Sequence, residues 1–560
     1  MRSADERPFA EGGRGASARP LLAEGNDGFV ARHGLWTDAQ YAAAAQMRRV
    51  IDELGLELVR LAFADPHGIL RGKTVTRSSL ESALRSGITA PSSLLLKDTS
   101  GKSAFPVFSP GAGLAVAGFA GAGDIVLVPD PATFRVLPWA ERTGWLLCDV
   151  RFPDGSPVPF CSRGILRGQL ALLAGRGYRM TVGAELEFHV FRAEPFSPER
   201  VGRPGAPGAA PGVRPTTTGA QLLHEETLDG LDELVQALRQ GLTSLDLPLR
   251  SLELEFGPSQ LELTMEPADA ADTADAVLLC RTAVRQIARR LGYQATFMSR
   301  PQGAETASVG WHLHQSLTNV RTGWPSFMPG PDDDGILSPT GCAYLEGLLR
   351  HAPAATAFAA PTVNGYKRYQ PYSLAPDRIA WGIDNKGAMV RAVGGPGNAA
   401  TRLENRSGEP AANPYLYIAS QLASGMDGVT RGLALRPPTD DPYGTNADRL
   451  PPSLGEAVTA LENDACLRAA LGEVVVDWYA TIKRSEFDRY LRHVSDWEQR
   501  EYLGLFLRKP AISRPTTGQV RAAAPVTYIS LATRRSERAA ASRRSRLRPR
   551  AGPTPVLPRL

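Results

Sequence analysis

The segment GAELEF, residues 183–188, constrains the fold of this chain more than any other stretch. Side chains alternate between the two faces of a strand, so Glu185 and Glu187 share one face while Leu186 and Phe188 share the other. Two adjacent carboxylates repel each other unless solvent, a shared proton or a cation lies between them. The segment therefore predicts a half-buried strand that carries either solvated acids or a cation site.

Strand-like and helix-like segments follow one another without a regular βαβ order. LELVRLAFADPHGILRGKTVT alternates apolar and polar residues and breaks at DPHG, which predicts a β-hairpin. SRGILRGQLALLAG and DAVLLCRTAVRQIARRLG have the periodicity of amphipathic helices. The fold class is therefore predicted as α+β, with a mostly helical second half and a loop-rich stretch at 361–412.

Composition shifts divide the chain into predicted regions. They are a disordered N-terminus (1–35), a small β-rich domain (36–150), a larger domain (151–512) with a Pro/Gly-rich surface loop (195–219), and an Arg-rich disordered tail (513–560).

Composition also limits the class of protein. With 43% hydrophobic and 22% charged residues, the chain resembles an ordinary globular protein. No stretch approaches the roughly 18 apolar residues of a membrane helix, and the N-terminus lacks the apolar core of a signal peptide. The five cysteines are far apart and odd in number, which argues against disulfides and thiolate zinc sites and favours a reducing cytoplasm.

The net charge of +5 comes from the tail. From Arg534 onward the only charged residues are arginines and one acid, Glu537. The net charge of the rest of the chain is therefore near zero or slightly negative. Such a tail is compatible with nucleic-acid binding, but a solvated tail without a partner is the favoured interpretation.

Three further segments carry residues that bind metals. They hold His312 and His314 in GWHLHQSL, Glu255 and Glu262 on either side of the GPS turn, and Glu404 between Arg402 and Arg406. Each segment alone fits a structural role as well as it fits metal binding: buried core histidines, solvated acids or a structural salt bridge. Taken together they are rich in carboxylates and have no thiolates, which favours Mg²⁺ or Mn²⁺ over zinc.

Phosphate-binding motifs of the common kinds are absent from the sequence. There is neither a GxxxxGK[ST] loop nor a GxGxxG fingerprint. Arg368, Arg391 and the arginines of RLENR have the side chain that clamps phosphates or carboxylates with two parallel hydrogen bonds. A nucleotide site in this chain would therefore be of another kind.

The order of these motifs resembles the glutamine synthetase family. FADPHGILRGK, GAELEF, EFGPSQLE, ATFMSRP, GWHLHQSL, NGYKRY, RLENR and EPAANPYL follow the family's order over roughly residues 55–505. The resemblance implies a type I-like enzyme with an N-terminal β-grasp domain, a C-terminal catalytic domain, and active sites between subunits of stacked rings, commonly a dodecamer. It also implies that ATP phosphorylates the γ-carboxylate of L-glutamate before an amine attacks.

The resemblance assigns roles to individual residues. It implies one metal held by Glu187, Glu255 and Glu262; a second metal held by Glu185, His312 and Glu404; nucleotide or phosphate contacts from His314, Ser316, Lys386, Arg391 and Arg402; and substrate contacts from Glu187, Gly310, Arg368 and Arg406. Among these, Arg368, Arg406 and Glu404 are the implied catalytic residues. Lys386 stands where the family usually has arginine.

The departures from the family surround the ammonium subsite. Ala90, Ala307 and Leu374 stand where ammonia-using members have Asp, Asn and Glu. Losing acids makes the subsite more apolar, which predicts a γ-glutamyl amide of an organic amine as product, as in the γ-glutamylpolyamine and γ-glutamylanilide synthetase branch. Asp98 or Asp377 could replace the lost acids.

Two alternatives therefore stay open. One is a true glutamine synthetase that uses ammonia. The other is a catalytically silent member with a regulatory role, which intact metal positions argue against.

Overall fold

The computed structural model describes residues 28–114, 116–195, 197–301 and 307–507. Within it the chain divides into two compact units at His493/Val494. The N-terminal residues 1–27 and the Arg-rich tail from 508 onward, including most of the predicted disorder, lie outside the described residues. None of the helices described is long and apolar enough to span a bilayer.

A six-stranded sheet occupies the first part of the chain, with strand order β2-β1-β6-β4-β3 and β5 paired to β6. Its strands are β1 (Leu58–Ala64), β2 (Leu70–Thr76), β3 (Ile88–Pro91), β4 (Asp124–Pro129), β5 (Arg135–Val136) and β6 (Thr143–Arg151). The helices around it are α1 (Phe29–Arg32), α2 (Asp38–Glu53) and α3 (Arg77–Ser86). Strands β1 and β2 pair as an antiparallel hairpin, so the prediction from DPHG is confirmed.

The predicted N-terminal disorder extends too far. Residues 29–32 form α1, in which Phe29 and Val30 are buried. The apolar pair outweighs the glycine-rich and charged composition of the preceding residues, because burying two large side chains offsets the entropy of ordering a short segment.

A ten-stranded sheet fills the larger region, with strand order β14-β15-β16-β13-β7-β10-β9 and with β8, β11 and β12 paired to β7. Its strands are β7 (Tyr178–Ala193), β8 (Val213–Arg214), β9 (Leu249–Leu254), β10 (Gln260–Met265), β11 (Ala268–Asp269), β12 (Tyr293–Thr296), β13 (Trp311–Asn319), β14 (Trp381–Ile383), β15 (Val390–Val393) and β16 (Arg402–Gly408). The mixture of two sheets with packed helices confirms the α+β class.

The helices follow the same order along the chain. They are α4 (Ser162–Gly175), α5 (Glu225–Asp229), α6 (Asp232–Thr243), α7 (Ala270–Arg290), α8 (Pro339–Arg350), α9 (Ala352–Ala359), α10 (Pro414–Arg431), α11 (Leu454–Asn463), α12 (Ala465–Leu471) and α13 (Glu473–Leu491), followed in the second unit by α14 (Asp496–Glu498) and α15 (Gly504–Phe506).

Two sequence predictions in this region left out short strands. The stretch 361–412 is loop-rich as predicted, but β14, β15 and β16 lie within it and extend the large sheet. The surface loop 195–219 is largely exposed as predicted, but β8 pairs with the end of β7 inside it. Both strand sets are short, so their backbone pairing depends on neighbouring strands rather than on a local apolar pattern. The five cysteines are all free, as predicted.

Arg281 of α7 joins distant parts of the chain. Its guanidinium is buried and donates to the carbonyl oxygens of Gly68 at 3.0 Å, Pro410 at 2.7 Å and Ala412 at 2.7 Å. Gly68 lies in the hairpin turn, where φ is +66° and a Cβ would come within 2.9 Å of Arg281 itself, so only glycine fits. The hairpin turn is thereby fixed against α7 and the segment after β16.

A buried histidine connects the helices of the larger region. The two ring nitrogens of His351 lie 2.7 Å from Asp464 Oδ2 and 2.9 Å from Asp427 Oδ2. Burial acts to lower the pKa of this imidazole, but hydrogen bonds with Asp464, Cys466 and Asp427 raise it to about 10. His351 is therefore an imidazolium at neutral pH.

We expect His351→Gln to destabilise the fold in a pH-dependent way. The folded-state pKa lies above the unfolded value of about 6.5, so the stabilisation is fully present below that pH and is lost as pH rises toward about 10. Urea unfolding should show a deficit of about 3 kcal/mol at pH 6 that shrinks by pH 9.5. The exposed His224→Gln is the control and should show no such trend; a deficit for His351→Gln that is constant with pH would contradict the assignment.

Candidate active site

The central strands of the large sheet bring the predicted site residues together. In the antiparallel register Glu185 of β7 lies opposite His312 of β13, and Glu187 lies opposite Glu262 of β10. On the other side of β13, His314 lies opposite Glu404 of β16. Four adjacent strands thus converge on one carboxylate-rich cluster.

The alternation predicted from GAELEF is confirmed. Leu186 and Phe188 are fully buried on one face of β7, while Glu185 and Glu187 face the cluster. Burying the apolar face fixes the register of β7, because a slip of one residue would turn the carboxylates into the core.

Glu185 binds both histidines of GWHLHQSL. Its two carboxylate oxygens lie 3.1 Å from His312 Nδ1 and 2.8 Å from His314 Nε2. Burial acts to raise the pKa of Glu185, but the hydrogen bonds to the two imidazoles hold it well below its usual range. The two histidines are therefore neither solvated nor packed in the apolar core.

On the other side of the cluster, burial and neighbouring carboxylates raise the pKa values of Glu187 and Glu262. Burial, followed by the charge of Glu255, raises the pKa of Glu187 to about 7. Burial and the charges of Glu187, Glu185 and Glu255 raise the pKa of Glu262 to about 9. Carboxylates so close together need protons or cations to be stable. Oxygen donors with a nitrogen from His312 are suited to a hard divalent cation, so the residues fit the predicted metal.

The ligand-type atoms form two overlapping groups. Glu185, Glu262 and His312 offer ligand atoms within 4.8 Å of one another, and so do Glu185, His314 and Glu404. Glu185 belongs to both groups. His314, predicted as a nucleotide contact, therefore lies as close to ligand-type oxygens as His312 does.

Glu404 is completely buried and forms ion pairs with Arg406 and, at 2.8 Å, with Arg391. The bracketing arginine Arg402 does not pair with it but donates from Nε to His314 Nδ1 at 3.1 Å. Although burial acts to raise the pKa of Glu404, the charges of His312 and Arg406 lower it below its usual value. The carboxylate is therefore ionised in the centre of the cluster.

Arg368 and Arg406 present unused hydrogen-bond donors. Arg368 is buried and donates from one terminal nitrogen to the Arg406 carbonyl at 2.8 Å, while its other terminal nitrogen has no partner among the described residues. In the same part of the chain Arg406 Nε is buried and unpaired. Leaving such donors unsatisfied is costly, which indicates that an anion binds beside them.

Gly310 makes room for this arginine. A Cβ at Gly310 would lie 2.5 Å from a terminal nitrogen of Arg368. Its N–H donates to Glu187 Oε2 at 3.0 Å, so the glycine touches a ligand-type carboxylate as well. A side chain at position 310 would therefore displace the Arg368 guanidinium, so the position requires glycine.

Sequence analysis missed Gln260. Its amide nitrogen donates to Glu187 Oε2 at 2.8 Å and to the Ser308 carbonyl at 3.3 Å, and its amide oxygen accepts from Gly257 N at 2.9 Å. Gln260 lies inside the motif EFGPSQLE, between the predicted metal ligands Glu255 and Glu262. It holds the β9–β10 turn, Glu187 and the segment before β13 in one arrangement.

The C-terminal region matches the family model described as glutamine synthetase, catalytic domain, over residues 159–502. The chain belongs to the glutamine synthetase family. This confirms the resemblance read from the motif order.

Individual relatives of the glutamine synthetase family align over most of the chain. A γ-glutamylanilide synthase from Acinetobacter sp is 42% identical over 85% of this chain and 99% of its own. A γ-glutamylethanolamide synthetase, GlnA4, from Streptomyces coelicolor is 33% identical, with coverage of 80% and 92%. A glutamine synthetase from Mycolicibacterium smegmatis is 32% identical, with coverage of 82% and 98%. Apo GmaS superposes with a TM-score of 0.67 at 30% identity, covering 81% of this chain and 98% of its own.

The departures from the glutamine synthetase pattern occupy different places. Ala307 packs beside Gly257, next to the turn that Gln260 holds. Leu374 is half exposed, with a φ of +59°. Ala90 is buried in β3 of the first sheet, opposite Ile125, and not among the carboxylates of its own chain. The structure thus places Ala307 near the cluster and Ala90 in the other sheet.

The remaining predicted residues lie around the cluster. Ser316 follows His314 on the same face of β13, and the charge of Lys386 acts on Glu255. Asp98 accepts hydrogen bonds from the backbone of Ser100 and Lys102 within its own loop. That carboxylate is satisfied locally, which disfavours it as a substitute for the missing acids.

Proposed function

We propose that the chain is an ATP-dependent ligase that joins the γ-carboxylate of L-glutamate to an organic amine. The γ-phosphoryl group of ATP is transferred to the carboxylate to give γ-glutamyl phosphate and ADP. The amine nitrogen then attacks the acyl carbon, phosphate leaves and the nitrogen loses a proton. The observation that carries the proposal is the convergence of the ligand-type residues with two unsatisfied arginines, in a chain whose ammonium subsite has lost its acids.

The cluster divides into two metal positions in this proposal. Glu187, Glu255 and Glu262 would hold the cation beside glutamate, and Glu185, His312 and Glu404 would hold the cation beside the nucleotide phosphates. When bound, Mg²⁺ or Mn²⁺ supplies positive charge that offsets the negative charge of the phosphoryl oxygens. Gln260 and Gly310 orient Glu187 by donating to the same carboxylate oxygen.

Arg368 and Arg406 bind the anionic groups that react. One terminal nitrogen of Arg368 and the Nε of Arg406 have no hydrogen-bond partner in the described residues. We assign these donors to glutamate and to the γ-phosphoryl group. Glu404 keeps Arg406 in place by a direct ion pair. Because these charges are fixed before substrate arrives, they stabilise the developing charge without reorganisation.

The nucleotide side is assigned to residues at the β13–β16 end of the cluster. His314, Ser316, Lys386, Arg391 and Arg402 are proposed to contact ATP. Arg402 orients His314 through its ring nitrogen, and Arg391 is held by Asp384 and Glu404. Lys386 supplies a single positive charge, whereas the arginine usual at this position in the family would bind two oxygens with paired hydrogen bonds.

The finer features of the family belong to the same proposal. We assign the first sheet to a β-grasp domain over 36–150 and the catalytic domain to 151–512, in a cytoplasmic enzyme assembled as stacked rings, commonly a dodecamer. Since Ala90 lies in the first sheet, a neighbouring subunit would bring its copy to the site between subunits. The Arg-rich tail is assigned no part in the reaction or in nucleic-acid binding.

The amine subsite decides between the two candidate reactions. Names of relatives include anilide, ethanolamide and glutamine products, so family membership fits either. Ala90 and Leu374 remove negative charges that would attract ammonium, and Ala307 removes a polar amide, which together favour an amine with an apolar body. Amines that are neutral at the working pH also need no carboxylate base to deprotonate them before attack.

We therefore expect phosphate release, measured with glutamate, ATP and a panel of amines, to be faster with an arylamine or alkylamine than with ammonia. The advantage in kcat/KM should be at least about tenfold, equal to roughly 1.4 kcal/mol of transition-state binding. Ala90→Asp combined with Leu374→Glu should shift the preference toward ammonia. Ammonia as the best acceptor of the unmodified enzyme would show a true glutamine synthetase, and no phosphate release with any amine would show a silent member.

Metal affinity should rise with pH. Without a metal, the pKa of Glu187 is about 7 and that of Glu262 about 9, so at neutral pH Glu262 is protonated and Glu187 is about half protonated, and these protons must leave when a cation binds. Equilibrium dialysis with Mn²⁺ should show affinity increasing from pH 6 to pH 9. Proton release, seen as calorimetric heats that depend on the buffer, is the second readout; equal affinity at both pH values would contradict the assignment.

A further inference from the structure

A cavity of about 340 Å³ lies between the first sheet and α7, outside the carboxylate cluster. The hairpin β1–β2 and Trp145 of β6 form one wall. Leu279, Thr282 and Gln286 of α7 form the other, at the spacing that puts residues on one face of a helix. The residues of both walls differ from those proposed to bind glutamate, ATP or metal.

The charges around the cavity have one sign. Its lining includes Arg60, Arg71, Lys73 and Arg285 and no acid. Arg71 is neutralised by Asp65, whose carboxylate lies 2.9 Å from its Nε. In the described parts of the chain no carboxylate lies within ion-pair distance of the other three cations. Lys73 lies opposite Leu61 in the hairpin register, so its side chain is on the face away from Arg60, which contacts α7. Arg60 and Arg285 are therefore the two cations that face this space without counter-ions.

Hydrogen bonds fix the walls but use few of these donors. The Gln286 amide oxygen accepts from Arg60 at 3.2 Å and from Trp139 Nε1 at 2.9 Å. Arg285 uses Nε to reach the Arg281 carbonyl at 3.1 Å. Arg290 donates to the carbonyl oxygens of Trp139 and Gln286. The terminal nitrogens of Arg285 make none of these bonds.

Electrostatics support the same conclusion. Burial and the neighbouring charge of Arg290 lower the pKa of Arg60, and burial lowers that of Arg285. Both shifts express the cost of holding a cation where water is partly excluded, and that of Arg60 also includes repulsion by Arg290. An anion in the cavity would reverse that cost.

We propose that this cavity binds a small metabolite through its carboxylate or phosphate oxyanion, with Arg60 and Arg285 as the binding groups. Guanidinium groups bind such oxygens with paired hydrogen bonds, and a site without acids rejects cations. The volume is at the lower end of the usual range of about 300–1,000 Å³ for ligand sites. Trp139 and Trp145 give the cavity flat apolar surfaces against which the body of the ligand packs.

Intrinsic tryptophan fluorescence and calorimetry test this proposal on the full chain. The probes are inorganic phosphate and the dicarboxylate succinate, which distinguish the two sources of the oxyanion. We expect one of them to bind to the unmodified protein and to the Arg350→Gln variant with equal affinity, and to bind at least tenfold more weakly to the double variant Arg60→Gln/Arg285→Gln. Arg350 is an exposed arginine of α8 and serves as the matched loss of one surface charge.

The results that would overturn the proposal are distinct. Equal binding to the double variant and the unmodified protein would place the anion elsewhere. No binding of either probe, or weakening by Arg350→Gln as large as that by the double variant, would leave only a general surface potential. A double variant that changes the mass of the assembly but not the titration would make the cavity a subunit contact. Glu185→Gln should keep this binding even if it abolishes the ligase reaction, so failure of the proposed function is separable.

Discussion

Glu185→Gln should reduce kcat/KM for phosphate release by at least about a thousandfold, or roughly 4 kcal/mol. The substitution keeps the shape of the side chain but removes the charge that both His312 and His314 contact. It also removes the carboxylate that belongs to both groups of ligand-type atoms. We therefore expect loss of the nucleotide-side metal, measured as a large rise in the Mn²⁺ or Mg²⁺ concentration that gives half-maximal rate.

Glu253→Gln is the matched control for this experiment. Glu253 is an acid of β9 that lies opposite Glu262 in the same sheet, but it is outside the proposed ligand set. It contributes only a repulsive charge to Glu255 and Glu262. Its variant should stay within about fivefold of the parent rate. Equal losses in both variants would mean that the general negative potential matters and that Glu185 has no special position.

Arg368→Lys should raise KM for glutamate by about a hundredfold at nearly constant thermal stability. Lysine keeps the positive charge but not the fork of donors, one arm of which reaches the Arg406 carbonyl while the other is unpaired. Losing both the orientation and the second hydrogen bond costs roughly 3 kcal/mol of substrate binding. Initial rates at varied glutamate, together with thermal unfolding, separate a binding defect from a folding defect.

Arg378→Lys provides the comparison within the same region. Its guanidinium donates to the Ala447 carbonyl at 3.1 Å and lies beside Asp377, so it is a structural arginine, although it is only partly buried where Arg368 is fully buried. We expect little change in KM for glutamate. A KM for Arg368→Lys within threefold of the parent value would remove the arginine from the substrate site.

Much of the site could be predicted because strand alternation is a local rule. Glu185 and Glu187, and likewise His312 and His314, are two residues apart, so their shared faces follow from the sequence alone. Which strand pairs with which does not follow from local pattern. The β7–β13 and β13–β16 pairings that bring Glu404 to these residues required the resemblance to a known family or the structure itself.

The failures have physical causes of their own. Strands β14, β15 and β16 are stabilised by their neighbours, so the local pattern of a loop-rich stretch did not predict them. Arg402 and Glu404 are two residues apart on β16 and share a face, which suggested an ion pair between them. Arg402 instead donates to His314, which lies opposite Glu404 on β13, and Glu404 pairs with Arg406 and with Arg391 on β15. Gln260 was overlooked because a neutral amide gives no charge pattern.

The bonds of Arg281 have a consequence for dissecting this enzyme into parts. Its single guanidinium is shared by the hairpin turn 213 residues before it and by the carbonyls 129 and 131 residues after it. A fragment that lacks either partner would leave a buried cation with missing acceptors, at a cost of a few kcal/mol. The N-terminal hairpin and the catalytic sheet should therefore unfold in one cooperative transition, and a catalytic fragment that starts after the first sheet is a poor substitute for the whole chain.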